Sequence, residues 1–420
     1  MSDAIAINHA RLRECPVCGL FQGMPLLSRR NTACCARCGS LLRQDRTDPA
    51  GRALALATAG VLLFVLAVSL PFLRLDLGGG QETSLVTGPV ALENSGMPEL
   101  ALVVLGTTML APLAKMLAMI WVLAGLRMRS PPGHLAVVFR LVEVLTPWSM
   151  IEVFMLGVFV AYTKLGDLAP VHVGGGVYAL GLLMLTMAAA DSALDHEAIW
   201  ERLEPKWLTR QAPPPPNQRI ACDSCGQVTR KPHGHMRAAC PRCGSYLRHR
   251  KPDSLTRSWA LLVAAAVLYI PANALPVLTV IRLGQGAPST ILGGVEELGA
   301  AGMWPLAALV FVASIAVPVL KLIGLSVLLI STRRRSRGGL SERTLLYKIV
   351  ECVGRWSMID VFMISILTAM VQAGTLATIV PGPGVLCFCA VVILTMLAAN
   401  SFDPRLMWDA AERGKEDVST

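Results

Sequence analysis

The sequence runs twice through one plan, and each pass carries four apolar stretches of bilayer-spanning length. The candidate spans are 53–73, 98–126, 135–162 and 174–194, then 259–281, 303–331, 345–371 and 382–400. A helix needs ~20 residues to cross a hydrocarbon core, and most of these reach that length. Lipid offers backbone amides no water to bond, so helices are the economical reading. The repeat is set by Trp148-Ser149-Met150-Ile151-Glu152-Val153-Phe154-Met155, which returns as Trp356-Ser357-Met358-Ile359-Asp360-Val361-Phe362-Met363. Trp356 minus Trp148 gives an offset of 208 residues. Duplication inside a polytopic protein usually places a shared pathway between the halves. The fold class expected is an all-α polytopic membrane protein with two tandem repeats of four transmembrane helices.

Composition agrees. Hydrophobic residues make up 54% of the chain and charged residues 16%, where a soluble protein is about a quarter charged. The 52 residues before the first span are polar and arginine-bearing, unlike a cleavable leader, so that span is expected to stay in the membrane. Orientation follows from the short loops. Arg127, Arg129 and Arg140 flank one connection, and Arg333, Arg334, Arg335, Arg337, Arg343 and Lys348 its counterpart. On the opposite side, Arg74 stands against Asp76, Glu82 and Glu93, and 372–381 has no charge. Positive-inside bias therefore puts both termini and residues 195–258 in the cytoplasm. The net charge of +10 reads as this bias plus attraction to anionic headgroups, and nucleic acid is not expected as a partner.

Eight of the twelve cysteines form paired knuckles: Cys15 and Cys18 with Cys35 and Cys38, then Cys222 and Cys225 with Cys240 and Cys243. Sixteen residues lie between Cys18 and Cys35, and fourteen between Cys225 and Cys240, close to the spacing of a zinc ribbon. Each two-residue turn brings two thiolates to one edge of a tetrahedron, and the glycine that follows lets backbone N–H groups face sulfur. Four soft ligands with no open position describe a closed structural zinc site, so two zinc ions are expected. A module of ~35 residues is too small to hold itself by burial, and the metal would supply most of its folding free energy. Disulfides, a redox-active Cys-x-x-Cys and iron–sulfur ligation are the competing readings. Cys34 is surplus to the tetrahedron, and Cys352, Cys387 and Cys389 read as small buried hydrophobes.

These observations divide the chain into a first ribbon at 1–50, four helices at 51–200, a Pro-rich linker at 201–218, a second ribbon at 219–252, four helices at 253–410 and a tail at 411–420. Pro213-Pro214-Pro215-Pro216 stiffens the linker. Leu73, Leu75 and Leu77 alternate with Arg74 and Asp76 before Gly78-Gly79-Gly80, which reads as a hairpin. The counterpart Val277–Leu283 is weaker.

Charges at membrane depth are the candidate working groups. Pro112-x-x-Lys115 and Pro318-x-x-Lys321 recur, each proline leaving the carbonyl four residues back, at Thr108 and Ser314, without its donor and inviting a kink. Glu152 and Asp360 follow the Trp-Ser pairs. Arg127 minus Lys115, Glu152 minus Arg140, Arg333 minus Lys321 and Asp360 minus Lys348 all give 12 residues, about 18 Å of helix. An isolated charge there costs about 2.5–3.5 kcal/mol. Pairing of Lys115 with Glu152 and of Lys321 with Asp360 is therefore expected, the pairs facing a polar cavity; the alternative is that they only fix helix register. Lys115→Met or Asp360→Asn is expected to abolish activity at normal abundance. Ser149, Ser357, Thr186 and Thr395 complete the set, the two threonines lining a path or bonding back to their own helices. Glu143 and Glu351 lie near interfacial bases. Trp148 and Trp356, mid-span, read as packing residues. Asp191 against Asn400 marks divergence between the halves.

Paired ribbons, four spans per half, Pro-x-x-Lys, Trp-Ser-Met-Ile-(Glu/Asp)-Val-Phe and the closing Asn400-Ser401-Phe402-Asp403-Pro404 together resemble the paraquat-inducible protein A family across nearly the whole chain. The first closing motif departs, reading Asp191-Ser192-Ala193-Leu194-Asp195. The resemblance implies a bacterial inner-membrane protein working beside a periplasmic tunnel protein with mammalian-cell-entry (MCE) domains. It implies loading or receiving of membrane phospholipids or other lipophiles, and no enzyme activity. No phosphate-binding loop for ATP is found, so a driving force would come from an ion gradient, the partner or the lipid gradient; the lysines and acids permit proton coupling. A zinc- or redox-sensing module is the alternative function, and a membrane oxidoreductase built on the Cys-x-x-Cys pairs a third.

Overall fold

The computed structural model describes residues 11–24, 31–44, 48–75, 81–129, 132–166, 171–205, 207–208, 214–231, 238–282, 285–336, 338–372 and 377–419. Asp76, Leu77, the glycine turn at 78–80, Pro213, Leu283 and Arg337 lie outside them. Among the described residues seven helices are long and apolar enough to cross a membrane, judged by length and composition: Pro49–Ser69, Pro98–Gly125, Leu135–Thr163, Gly175–Ala193, Ser254–Ala274, Trp304–Arg333 and Pro383–Ser401. The eighth expected span is present as two helices, Leu340–Val353 and Ile359–Gln372, joined by a 3₁₀ turn at Gly354–Met358.

Proline and the Trp-Ser motif explain the irregular turns. Ahead of Pro112 and Pro318 the second spans widen into π turns at Gly106–Leu110 and Val312–Ala316. There Ala111 and Val317 donate to carbonyls five residues back. The kinks expected at Thr108 and Ser314 are thus absorbed by one extra residue per turn. Both third spans break into 3₁₀ turns, at Thr146–Trp148 and Gly354–Met358. Proline at 147 explains the first break. The second has arginine at that place, and Trp356 there is 51% exposed on the surface, not packed as expected.

Within each half the first and fourth spans pack along their length. Gly174 and Gly176 start the fourth span against the end of the first, donating to Phe72 O and Pro71 O at 2.7 and 2.9 Å. A Cβ on Gly174 would strike the Pro71 carbonyl, and one on Gly382 the Pro276 carbonyl. That close approach also recruits a strand. The expected hairpin is a three-stranded antiparallel sheet in each half, since Leu73–Leu75 pairs with Gln81–Thr83 and with Val171–Val173. In the second half Leu278–Arg282 pairs with Gln285–Ser289 and Ala377–Pro381. The third strand comes from a distant loop, which no local pattern announces.

The halves join through their third spans. Phe154 meets Phe362 edge-on with centroids 5.6 Å apart, and a Cβ on Gly157 would stand 3.0 Å from Phe362 Cβ. Every residue from 357 to 370 is buried, whereas Glu152, Phe159 and Tyr162 on the first-half counterpart are exposed. The second-half helix is therefore central and the first-half helix peripheral.

The ribbons bridge the two halves. The first packs Met24, Ala33 and Leu42 with Tyr347, Phe402, Met407 and Trp408 of the second half. The second reaches the first half, where Arg140 donates to Ser245 Oγ at 2.9 Å and Arg242 pairs with Glu204 at 2.8 Å. Each cysteine module thus reaches the bundle that it does not directly precede while also pairing with its own. Arg13 and Arg43 meet Glu197 and Glu201 at 2.6 and 2.9 Å, and Arg250 meets Asp409 at 2.7 Å.

Candidate functional site

Two kinds of site emerge, a pair of metal-competent clusters and a charged crevice between the halves. In the clusters, β-hairpins hold the knuckles: Arg11–Glu14 with Phe21–Met24, Thr32–Cys34 with Leu41–Gln44, and Arg219–Ala221 with Val228–Arg230. Gly19, Gly39, Gly226 and Gly244 close the knuckles at φ of 74°, 68°, 68° and 73°, a left-handed conformation that favours glycine. Cys15, Cys18, Cys35 and Cys38 bring their sulfurs within 4.8 Å of one another, as do Cys222, Cys225, Cys240 and Cys243. Four of the S···S separations are 3.5–3.6 Å. A disulfide requires about 2.05 Å. A tetrahedron with 2.3 Å metal–sulfur bonds has edges of about 3.8 Å. The geometry fits a closed tetrathiolate metal site.

Within each cluster the thiols share protons: a hydrogen bond with Cys18 draws the Cys15 thiol down and one with Cys222 draws Cys240 down. Their partners Cys18 and Cys222 move upward. Cys34 is exposed and outside the cluster.

A charged clamp ties the ribbons to the closing motif. Arg405 reaches Asp403 at 2.9 Å, Asp223 at 2.7 Å and Glu14 at 3.5 Å. Arg250 bridges Glu14 at 2.9 Å and Asp409 at 2.7 Å. Burial alone would raise the Asp403 carboxyl, but hydrogen bonds from Arg405 hold it below its ordinary value. In Glu14 burial prevails over the two arginines and the carboxyl is raised.

The lysines depart from the pairing expected of them. Lys115, 2% exposed, meets Asp191 of the fourth span at 2.7 Å. Glu152 is exposed on the third span. Lys321 is buried and donates to Gly354 O at 3.3 Å and Ser357 Oγ at 3.2 Å, in place of the expected Asp360 carboxylate. Asp360 is itself buried on the central helix. The reason is local. The 3₁₀ turn at Gly354–Met358 presents the Gly354 carbonyl and the Ser357 hydroxyl to the second span, and the lysine takes both.

Lys321 lines a crevice of about 410 Å³ between the halves. Its walls include Glu143, Thr146 and Pro147 from the first half, and Lys348, Glu351, Arg355, Thr395 and Asn400 from the second. Glu143 accepts from Trp200 Nε1 at 3.0 Å and His196 Nδ1 at 3.4 Å. Thr395 bonds back to Val392 O at 2.9 Å and Thr186 to Leu182 O at 2.6 Å, so both keep the helix-bonding role, Thr395 also lining the crevice. Ser357 is brought to Lys321. Ser149 is partly buried, its hydroxyl unpartnered among the described residues. Cys352 is exposed and lines the crevice, contrary to its reading as a buried hydrophobe; Cys389 is buried as expected. Arg355 was legible as an arginine seven residues past Lys348 inside an apolar run, and sequence reasoning passed over it.

Comparison with known proteins gives this architecture its relatives. The family model described as paraquat-inducible protein A matches twice, at residues 51–204 and 255–412. The two matches coincide with the two bundles. Intermembrane transport protein PqiA of Escherichia coli K12 is 33% identical over 413 residues, 96% of this chain and 97% of that protein. Lipophilic envelope-spanning tunnel protein A of the same strain is 32% identical over 403 residues, 96% of this chain and 92% of that protein. A probable intermembrane transport protein of Haemophilus influenzae is 26% identical over 416 residues, covering 96% and 97%. No solved structure matches. With two bundles each matching the same model and relatives similar from end to end, the chain belongs to the paraquat-inducible protein A family.

Proposed function

We propose that this protein is the membrane-embedded component of a lipid transport system, moving phospholipid or another lipophile between the inner membrane and a periplasmic tunnel of MCE-domain subunits. Relatives named for intermembrane transport support the class of activity. The observation that carries the reading is the crevice between the halves, where a buried lysine, Lys321, faces a space lined from both repeats. A duplicated membrane protein commonly works at the seam of its repeats.

In this reading the working groups are Lys321, Ser357, Thr395 and Asp360, with Lys115, Glu152, Ser149 and Thr186 as their first-half counterparts. The ribbons lie in the cytoplasm, hold one zinc ion each and brace both bundles. Zinc suits a four-thiolate set that offers no open position, and such an ion shapes the fold without chemistry of its own. Seven of the eight ribbon thiols are buried, which counts against thiol–disulfide exchange as their work. With no ATP loop in the sequence, the driving force is assigned to a proton gradient or to the partner.

The test is transfer of a fluorescent phospholipid from vesicles containing the full chain to acceptor vesicles, with the MCE-domain partner supplied. Transfer that depends on both proteins and falls at least tenfold in Lys321→Met, at unchanged abundance, is the expected result. Transfer indifferent to the chain would overturn the proposal.

A further inference from the structure

Lys321 enters the crevice as a buried amine whose bonds go to neutral groups, Gly354 O and Ser357 Oγ. Its counterpart Lys115 has a carboxylate, Asp191, at 2.7 Å. The residue equivalent to Asp191 is Asn400, and Asn400 lines the crevice beside Lys321. The second half has therefore kept the buried charge and carries an amide where the first half has the counter-ion.

The rest of the wall leaves that imbalance in place, its cations and carboxylates being equal in number. Lys348 and Arg355 add two cations, against Glu143 and Glu351. Glu143 already accepts from Trp200 and His196. Arg355 stands where the first half has Pro147, so it belongs to this half alone. Lys348 is exposed and Lys321 buried, which grades the cations from the opening inward. A buried ammonium without a carboxylate is costly, so it either sheds its proton or gains from an anion that comes to it. A guanidinium fork suits phosphate oxygens, which it can bind in pairs. About 410 Å³ falls in the size range of small-molecule pockets. It accommodates a phosphate-bearing headgroup, leaving acyl chains to the apolar surfaces outside.

Resting on the lipid-transport reading, the geometry points to this crevice as the seat of the phosphate group of an anionic lipid, held by Arg355 and Lys348 and charge-matched at its inner end by Lys321. Glu351 opposes the anion and tempers its affinity, as suits a cargo that must leave.

The zinc-loaded full chain, equilibrated with vesicles of equal phosphatidylglycerol and phosphatidylcholine and then repurified, tests this by mass spectrometry of the retained lipid. Enrichment of phosphatidylglycerol by about tenfold is expected, the worth of one charge-assisted contact. Arg355→Gln should bring the ratio close to parity. Asn400→Asp, which rebuilds the first-half arrangement around Lys321, should do the same, and it guards against an Arg355 variant that fails to fold. Arg127→Gln, exposed outside the crevice, should leave the ratio unchanged. Equal retention of the two lipids by the unmodified chain overturns the inference, as does enrichment that survives both crevice variants. Inorganic phosphate bound at the crevice with no lipid preference would uphold the phosphate chemistry and overturn lipid as its source. Lipid transfer without headgroup preference sinks this inference alone, whereas the absence of transfer sinks the proposed function.

Discussion

In the first half Lys115 meets Asp191 across 2.7 Å, whereas in the second Lys321 has a carbonyl, a hydroxyl and a cavity before it. The third spans differ in the same sense. The first-half helix lies at the edge with Glu152 exposed, and the second-half helix runs through the middle of the molecule with Asp360 buried. Both bundles began from one plan, visible in the matching π turns, 3₁₀ breaks and sheets. The contrast is structural, one copy closing its buried lysine with a carboxylate and the other leaving it before a cavity, and on it rests our proposal that the copies divide labour.

The comparison can be broken most forcefully at the ribbons. Structural zinc is worth about 10–16 kcal/mol in small domains, so chelation should unfold both modules. Because each ribbon also packs on the opposite half, Cys18→Ser should raise hydrogen exchange near Tyr347, Phe402 and Trp408 of the second half, and Cys225→Ser near Arg140 and Trp200 of the first. Loss of protection confined to the bundle directly following each ribbon would contradict those cross-contacts.

Next in size is the clamp. Arg405→Ala leaves Asp403, Asp223 and Glu14 without their shared cation, and breaking such a buried network costs about 3–5 kcal/mol. Thermal unfolding should fall accordingly, with Arg405→Lys recovering part of the loss. Asp191→Asn strands Lys115. Since the Asp191 side chain is 41% exposed, solvent screening reduces that cost to about 2 kcal/mol. The change should appear in the unfolding temperature and not in transport per folded molecule, which narrows the expectation that Lys115→Met abolishes activity outright.

The smallest effect is in pH. The Asp403 carboxyl titrates below its ordinary value of 3.8 in the folded protein. Its contribution is therefore present above that value and is lost as pH falls through the lower folded one. The difference in stability between the wild type and Asp403→Asn should stay flat from neutral pH down to 3.8. A difference that fades at higher pH would show that Arg405 does not hold the carboxylate.

Much of this was legible in the sequence because it is local. Apolar length gives spans, Cys-x-x-Cys-Gly gives a knuckle, and the repeated Trp-Ser motif gives the register of the halves. The partners of the lysines were not legible. Spacing along a helix only estimates depth: it matched Lys115 to Glu152 and left Asp191 as an interfacial residue, whereas the structure brings Asp191 to the lysine. The contacts of each ribbon with the opposite half were hidden for a similar reason, since they depend on where a module docks after its linker ends. Arg355 was visible but had no counterpart to draw notice, Pro147 occupying its place in the first half. The informative residues proved to be those where the repeat fails to repeat.

Reciprocal exchange of one residue pair tests the division of labour most directly. Asn400→Asp and Asp191→Asn should be made separately and assayed for lipid transfer normalised to folded protein. The account predicts that Asn400→Asp, by giving Lys321 a counter-ion, abolishes transfer while the protein stays as stable as wild type, and that Asp191→Asn keeps full transfer at lower stability. Equal loss of transfer in the two variants, or loss in Asp191→Asn alone, would contradict it.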